Sequence, residues 1–371
     1  MRLPQPMSLL AFQLAGLQAT GSIGKGALLV GITGFCGLLG PWTGRRRDRG
    51  SMRRRLQGSC LAGSAALAGM GACVHWHGPY GLLVVLAVLQ GSAIAGMWAG
   101  FRALLVQVAP HDKLRQAHFV ESFMVEVSFA AGPLLVMGVV RLEGVAGALI
   151  CMAVGELAGG AILFGVPDLR GVGAAAGSRV RRFAPGVRRP VLAISALAFV
   201  LGLGFSMIEA NVPARMAPYG LPPSAAGTYM AALAGGSCLG GLLVSFRPLS
   251  RRRSVLQAGV LFGLLGVLSL PSALAASASA YLAMLPINSL ALVPLNGLGS
   301  AELERRLGQG SRGEAFGWFN AAMRLGGGTG ATLNGLLLSI LRPADVPLLA
   351  SGVFLCMPVV LAGAALARRV P

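Results

Sequence analysis

Four ionisable side chains stand inside stretches that are otherwise apolar: Glu126 in VESFMVEVSFAAG, Glu156 in CMAVGELAGG, Glu209 in GLGFSMIEANV and Arg324 in NAAMRLGGG. In such surroundings a carboxylate can carry a proton or a cation, and a guanidinium can bind an anion or act as a countercharge. Glu126 and Arg324 occupy matching places. Each lies nine residues after an alanine, Ala117 or Ala315, that is itself fifteen residues before a glycine, Gly132 or Gly330. Both are expected to face one cavity, the alternative being a structural ion pair or network. Glu121 is five residues from Glu126, about 140° around a helix, so the two do not share a face. Gln13, Gln18, Gln90, Asn211, Asn288 and Asn320 are further candidates for a cavity lining. Each taken singly fits a helix–helix hydrogen bond as well. His75 and His77 lack neighbouring ligands for a metal site, and neither a metal nor a cofactor is expected.

The elements that carry these residues are apolar helices. Of the 371 residues 55% are hydrophobic and 12% charged, about half the charged share of a soluble domain, with a mean hydropathy of +0.72. Continuous runs of around 20 apolar residues rich in Leu, Ala and Gly argue for membrane-spanning helices and against alternating strands. Twelve spans are expected, near 3–20, 26–43, 56–76, 80–102, 117–140, 144–166, 190–212, 224–246, 254–275, 279–300, 313–338 and 344–366. The formal charge of +19 invites a nucleic-acid reading, but the basic residues sit in short loops between apolar runs and have no interleaved aromatics. No nucleic-acid partner is expected.

Of 31 Lys and Arg residues, 25 fall in the loops of one side and four, Lys25, Arg141, Arg215 and Arg342, in the loops of the other. By the positive-inside rule both termini are expected in the cytoplasm, with the chain in the cell membrane. Pro4 and Pro6 interrupt the first span, leaving Met7 to Thr20, about 21 Å of helix and short of a ~30 Å core. Either the helix runs through the prolines or a preceding piece is missing; the latter is the expectation. The six cysteines form no CxxC pair and read as packing residues. Residues 168–189, rich in Gly, Ala and Arg, read as a cytoplasmic linker between a bundle at 1–167 and another at 190–371, six helices each. Such a duplicated plan is a transporter architecture.

The loop GPWTGRRRDRGSMRRR after the second span resembles the signature of the major facilitator superfamily, a glycine- and arginine-rich loop around one acid. Gly40, Gly44, Arg45, Asp48, Arg49, Arg53 and Arg54 match in register, whereas Gly50 comes one position early and Ser51 stands where glycine is usual. The resemblance implies a charge network at the cytoplasmic face that stabilises the outward-facing conformer, with Asp48 and Arg49 taking part; orientation of the chain is the alternative role. Gly132 and Pro133 in SFAAGPLLVMG, with Gly138 nearby, resemble the helix-bend motif of family antiporters. In this fold the sixth span is usually peripheral, which favours a packing role for Glu156. Proton-coupled relatives carry an arginine three residues before a Gln-Gly pair in span four; here Gln90-Gly91 is present but Ala87 stands at the arginine position.

The resemblance implies an all-helical fold of two six-helix bundles and alternating-access export of a small organic molecule, a drug or metabolite, against protons. The working unit is expected to be a monomer in the lipid bilayer. An uncoupled facilitator or importer, and a non-transporting sensor or scaffold, remain alternatives. An enzyme is not expected. DxxD, DxD and GxxxxGK[ST] sequences are absent, so neither metal-bound phosphate chemistry nor ATP-driven transport is indicated.

Overall fold

The computed structural model describes residues 3–39, 52–95, 97, 114–165, 185–246, 254–306 and 312–367, and the described residues are helical with short turns. The chain divides into two compact units, Met1–Arg182 and Phe183–Pro371.

In the first unit, α1 (Pro4–Thr20) takes both prolines into its opening turns. The first N–H groups of a helix have no intrahelical acceptor, so prolines there cost little and the helix runs through them. The interruption expected at the start of this span is therefore not seen. Gly21, in the left-handed region at φ 70°, ends α1 by donating its N–H to the Leu17 carbonyl at 2.7 Å, and α2 (Ile23–Cys36) turns back. α3 (Met52–His75) and α4 (Tyr80–Ile94) follow. α5 (Leu114–Ile162) is one run of 49 residues broken at Gly144, where φ 70° and ψ −175° are open to glycine and strained for other residues. The spans expected at 117–140 and 144–166 meet at this break.

α3 runs antiparallel to the second arm of α5. The Ser64 hydroxyl donates to the Ala153 carbonyl at 2.8 Å, and a Cβ on Gly160 would lie 3.0 Å from that of Cys60. α1 packs on both arms of α5: Gly132 faces Pro6 and Met7, and Gly155 faces Pro4.

The second unit contains α6 (Pro185–Met216), α7 (Ala226–Phe246), α8 (Ser254–Leu274), α9 (Ala278–Ser289), α10 (Leu292–Arg306), α11 (Arg312–Leu337) and α12 (Val346–Ala367). The span expected without interruption at 279–300 is divided between α9 and α10. Pro294 has no N–H to give the Leu290 carbonyl, which breaks the ladder there. α7 approaches that break so closely that a Cβ on Gly240 would lie 1.7 Å from the Leu290 oxygen. α6 and α11 run parallel in backbone contact, because a Cβ on Gly326 would lie 2.0 Å from the Phe199 oxygen and one on Gly330 2.2 Å from the Leu203 oxygen. Small residues at such seams are how helices gain packing contacts in lipid, where the hydrophobic effect does not drive them together. Phe262 and Phe354, both fully buried, pack at a centroid distance of 6.1 Å in the core of this unit.

Among the described residues six helices are long and apolar enough to cross a membrane, including Arg188–Tyr219 and Ala278–Arg306, and two shorter apolar helices are Ile23–Leu39 and Tyr80–Ile94. The outward faces of these helices are apolar as well, as at Val85, Leu243 and Val359. A chain that is apolar inside and outside is solvated by lipid. The all-helical membrane class is as expected. The six long apolar helices among the described residues are fewer than the twelve spans expected, and the fifth and sixth expected spans are the two arms of α5 on either side of Gly144.

Candidate functional site

In the first unit the polar residues meet where α3, α4 and α5 converge. Gln90 on α4 is 1% exposed and Glu156 on α5 4%. The Gln90 Nε2 donates to Glu156 Oε1 at 3.3 Å. The carboxyl has room because α3 presents Gly63: a Cβ there would lie 2.2 Å from Glu156 Oε2. Glu156 Oε2 and Gln90 Oε1 are buried and have no hydrogen-bond partner. The packing role expected of Glu156 describes its burial, but the sequence reading did not associate it with Gln90. A Gly–Cys–Gly set at 63, 60 and 160 was the available signal, since small residues at helical spacing mark a close seam into which one long side chain fits.

Gln13 on α1 is fully buried, with neither amide atom partnered, whereas Gln18 is exposed. Glu126 belongs to α5, seven residues before Pro133, but its side chain lies outside the described residues. Gly132 and Pro133 are buried against α1, and Gly138 is exposed. Of the loop signature, Gly40, Gly44, Arg45, Asp48 and Arg49 lie outside the described residues. Arg53 and Arg54 form the first turn of α3. Arg53 donates from Nη1 to the Phe164 carbonyl at 3.5 Å, at the C-terminal end of the turn that closes α5. A cation is favoured there by the carbonyls a helix end leaves free.

In the second unit, Arg324 on α11 and Glu209 on α6 are both half-buried. The α6–α11 register, with Phe199 opposite Gly326 and Leu203 opposite Gly330, puts Arg324 level with Leu197. Glu209 is twelve residues further along α6, about 18 Å. The two do not form an ion pair. Asn211, fully buried, donates from Nδ2 to the Pro343 carbonyl at 2.7 Å and ties α6 to the α11–α12 loop. Asn288, also fully buried, reaches the Ser272 hydroxyl at 3.4 Å, and Asn320 is exposed and bonds the Phe316 carbonyl of its own helix. Asn211 and Asn288 thus join neighbouring elements through their amide N–H groups, each with a buried Oδ1 left without a partner.

Sequence reasoning counted Arg215 among outer-loop cations, and the structure buries it at 4% exposure in the last turn of α6. Its Nη2 donates to the Tyr219 hydroxyl at 2.6 Å and to the Ser272 and Ala275 carbonyls at 3.2 and 3.3 Å. Its guanidinium lies 5.3 Å from the ring centroid of Tyr219 and 5.0 Å from that of Tyr281, and Tyr229 stacks on Tyr281. Three of the four tyrosines of the chain thus gather at one cation, which caps the C-terminal carbonyls of α8. The Arg–x3–Tyr spacing, one helical turn, was the signal for it. No grouping of three His, Cys, Asp or Glu side chains capable of holding a metal occurs among the described residues.

A family model described as Major Facilitator Superfamily matches residues 7–331. A comparison with curated protein sequences gives no match. Among solved structures, a bacterial homolog of the human lysosomal transporter Spinster, inward-facing and occupied, superposes with a TM-score of 0.69 at 16% identity, covering 98% of this chain and 94% of that one. The nucleoside transporter NupG gives 0.72 at 13% identity, covering 97% and 99%, and the POT family transporter PepTSo gives 0.72 at 12%, covering 99% and 97%. At such identities the structural likeness carries the fold, and the sequence match carries the family. Helices built for lipid, ionisable groups held within them and a family match over most of the length agree: the chain is a membrane transporter, not an enzyme, and belongs to the major facilitator superfamily.

Proposed function

We propose that the protein is a secondary transporter that works by alternating access and exports a small organic molecule in exchange for protons. The observation that carries this reading is Arg324, a half-buried cation within the membrane helix α11 that has no ion-pair partner among the described residues. A charge kept at membrane depth is costly and is retained where a substrate or a coupled ion uses it. Arg324 then serves as the anion or countercharge group and Glu126, its counterpart in the first half, as the proton carrier. The two halves are the six-helix bundles at 1–167 and 190–371, joined by the linker 168–189, with both termini in the cytoplasm. Asp48 and Arg49 hold the outward-facing conformer through the loop between α2 and α3. The protein acts as a monomer in the cell membrane.

The test is reconstitution in lipid vesicles with an imposed pH gradient and a panel of organic anions, cations and zwitterions. Flux of a panel compound that grows with the gradient supports antiport. Replacement of Glu126 by Gln is expected to abolish that dependence while leaving insertion intact, and unchanged uptake would remove Glu126 from the mechanism. A second reading, an uncoupled facilitator, is favoured by Ala87 at the position where proton-coupled relatives carry arginine. It predicts flux that ignores the gradient.

A further inference from the structure

The buried Gln90–Glu156 pair presents an accounting problem with one simple solution. The amide N–H donates to Glu156 Oε1, yet the two remaining oxygens, Glu156 Oε2 and Gln90 Oε1, are both buried and both without a donor. A carboxylate and an amide oxygen are acceptors alone, so the donors of an ionised pair are the amide's own N–H groups, and these cannot satisfy Gln90 Oε1. One proton on Glu156 Oε2 changes this, because the acid O–H becomes a donor and Gln90 Oε1 is an unfilled acceptor on the amide already bonded to that acid. A carboxylic acid and a carboxamide are complementary in this sense, each offering one donor and one acceptor.

We propose that Glu156 and Gln90 form a proton-binding site in the first unit, with Glu156 held as the neutral acid in the packed conformer. The site rests on the proton-coupled reading above for its role in transport, and on its own geometry for its protonation.

The surroundings agree. α3 contributes Gly63, whose missing side chain leaves the space Oε2 occupies, and α1 contributes Pro4 against Gly155. Among the described residues neither places a charged side chain in hydrogen-bond contact with the carboxyl, and the charge that acts on it is the chain's N-terminal ammonium. The titratable groups of the described part of α3 lie toward its ends: Arg53, Arg54 and Arg55 form its first turn, with Arg53 engaged at Phe164 in the turn after α5, Cys60 lies against Gly160, Cys73 reaches the Pro79 carbonyl, and His75 is the last residue. The described parts of α1 and α4 carry no charged side chain. An ion left there would face a cost of burial that one amide hydrogen bond and the N-terminal ammonium offset only in part. Release of the proton to water therefore requires α3 and α5 to part far enough for Oε2 to be wetted, which couples the site to a change of conformer.

Infrared difference spectroscopy of the purified full-length protein at pH 7, wild type minus E156Q, reads the state of this carboxyl directly, since the other acids cancel. The expected result is loss of one protonated-carboxyl C=O band in E156Q, with a downshift of that band in heavy water. Q90L is expected to retain the band at higher frequency, because the acid loses the amide's hydrogen bond. G63A, whose methyl takes the place of Oε2, is expected to lose or broaden it. Loss of the carboxylate stretching bands in E156Q, with no acid band, would overturn the proposal, as would a band unmoved by Q90L. The reading is separable from transport. Gradient-driven flux without the acid band overturns this site and leaves proton coupling standing; the band without gradient-driven flux keeps the protonated site and overturns its role in coupling.

Discussion

Two buried polar clusters, one in each unit, are built in opposite ways. Arg215 in the second unit is surrounded by acceptors and rings, and Tyr219 passes the network on by donating to the Ala275 carbonyl at 2.8 Å. The Nε of Arg215 is its one buried nitrogen without an acceptor. Ser269 and Ser351 share a hydrogen bond at 2.7 Å between α8 and α12 nearby. Glu156 and Gln90 in the first unit share a single bond and leave two oxygens unfilled. Outside the Arg215 cluster the second unit also leaves polar atoms unfilled, at Asn334, where neither amide atom is partnered, and at the Oδ1 atoms of Asn211, Asn288 and Asn296. A saturated network holds helices together, because every bond in it would have to be replaced if it opened. An unsaturated one leaves a vacancy for a proton or a ligand.

This contrast predicts that substitutions in the two places fail differently. The largest effect is expected for Arg215→Leu, which removes charge-assisted bonds to three oxygens and two cation–π contacts. A loss of roughly 2–4 kcal/mol follows from typical values for such bonds, seen as a fall of about 5–10 °C in the unfolding midpoint in detergent. The pH dependence of flux should be unchanged; a variant of full stability would show the cluster to be no structural cap. Asn211→Ala, which frees the Pro343 carbonyl, is expected to cost about 1 kcal/mol, measured by the same melt. Glu156→Gln is expected to change stability by less than about 1 kcal/mol, since an amide keeps the shape and one bond of the neutral acid. A melt of E156Q as damaged as that of R215L would erase the distinction between the two regions.

Much of the fold was legible in the residues. Apolar runs punctuated by arginine loops reported helices and their number of passes approximately, because lipid solvation constrains every exposed side chain of a span. The breaks were less legible. Gly144 ends one arm of α5 within an apolar stretch whose composition hardly changes, and Pro294 divides α9 from α10 through one missing N–H among residues that all suit a span. The site was legible residue by residue but not in its pairings. Gln90 and Glu156 were each visible as polar groups in apolar runs, while their meeting depends on Gly63 of a third helix. Arg215 looked like a loop cation because it ends a span, and its burial depends on tyrosines 4 and 66 residues away. The partners of Asn211 and Asn288, a carbonyl and a hydroxyl, were not legible, because sequence does not say which group an amide meets.

In the reading proposed above, the unsaturated pair of the first unit holds a second proton, besides the one Glu126 carries, and its release is coupled to transport. The most direct test compares wild type and E156Q in the same reconstituted vesicles, with flux of one transported compound followed across a series of imposed pH gradients. The expected result is a wild-type flux that rises with the gradient and an E156Q flux that is flat across the series. An E156Q flux that follows the gradient as steeply as the wild type would contradict it.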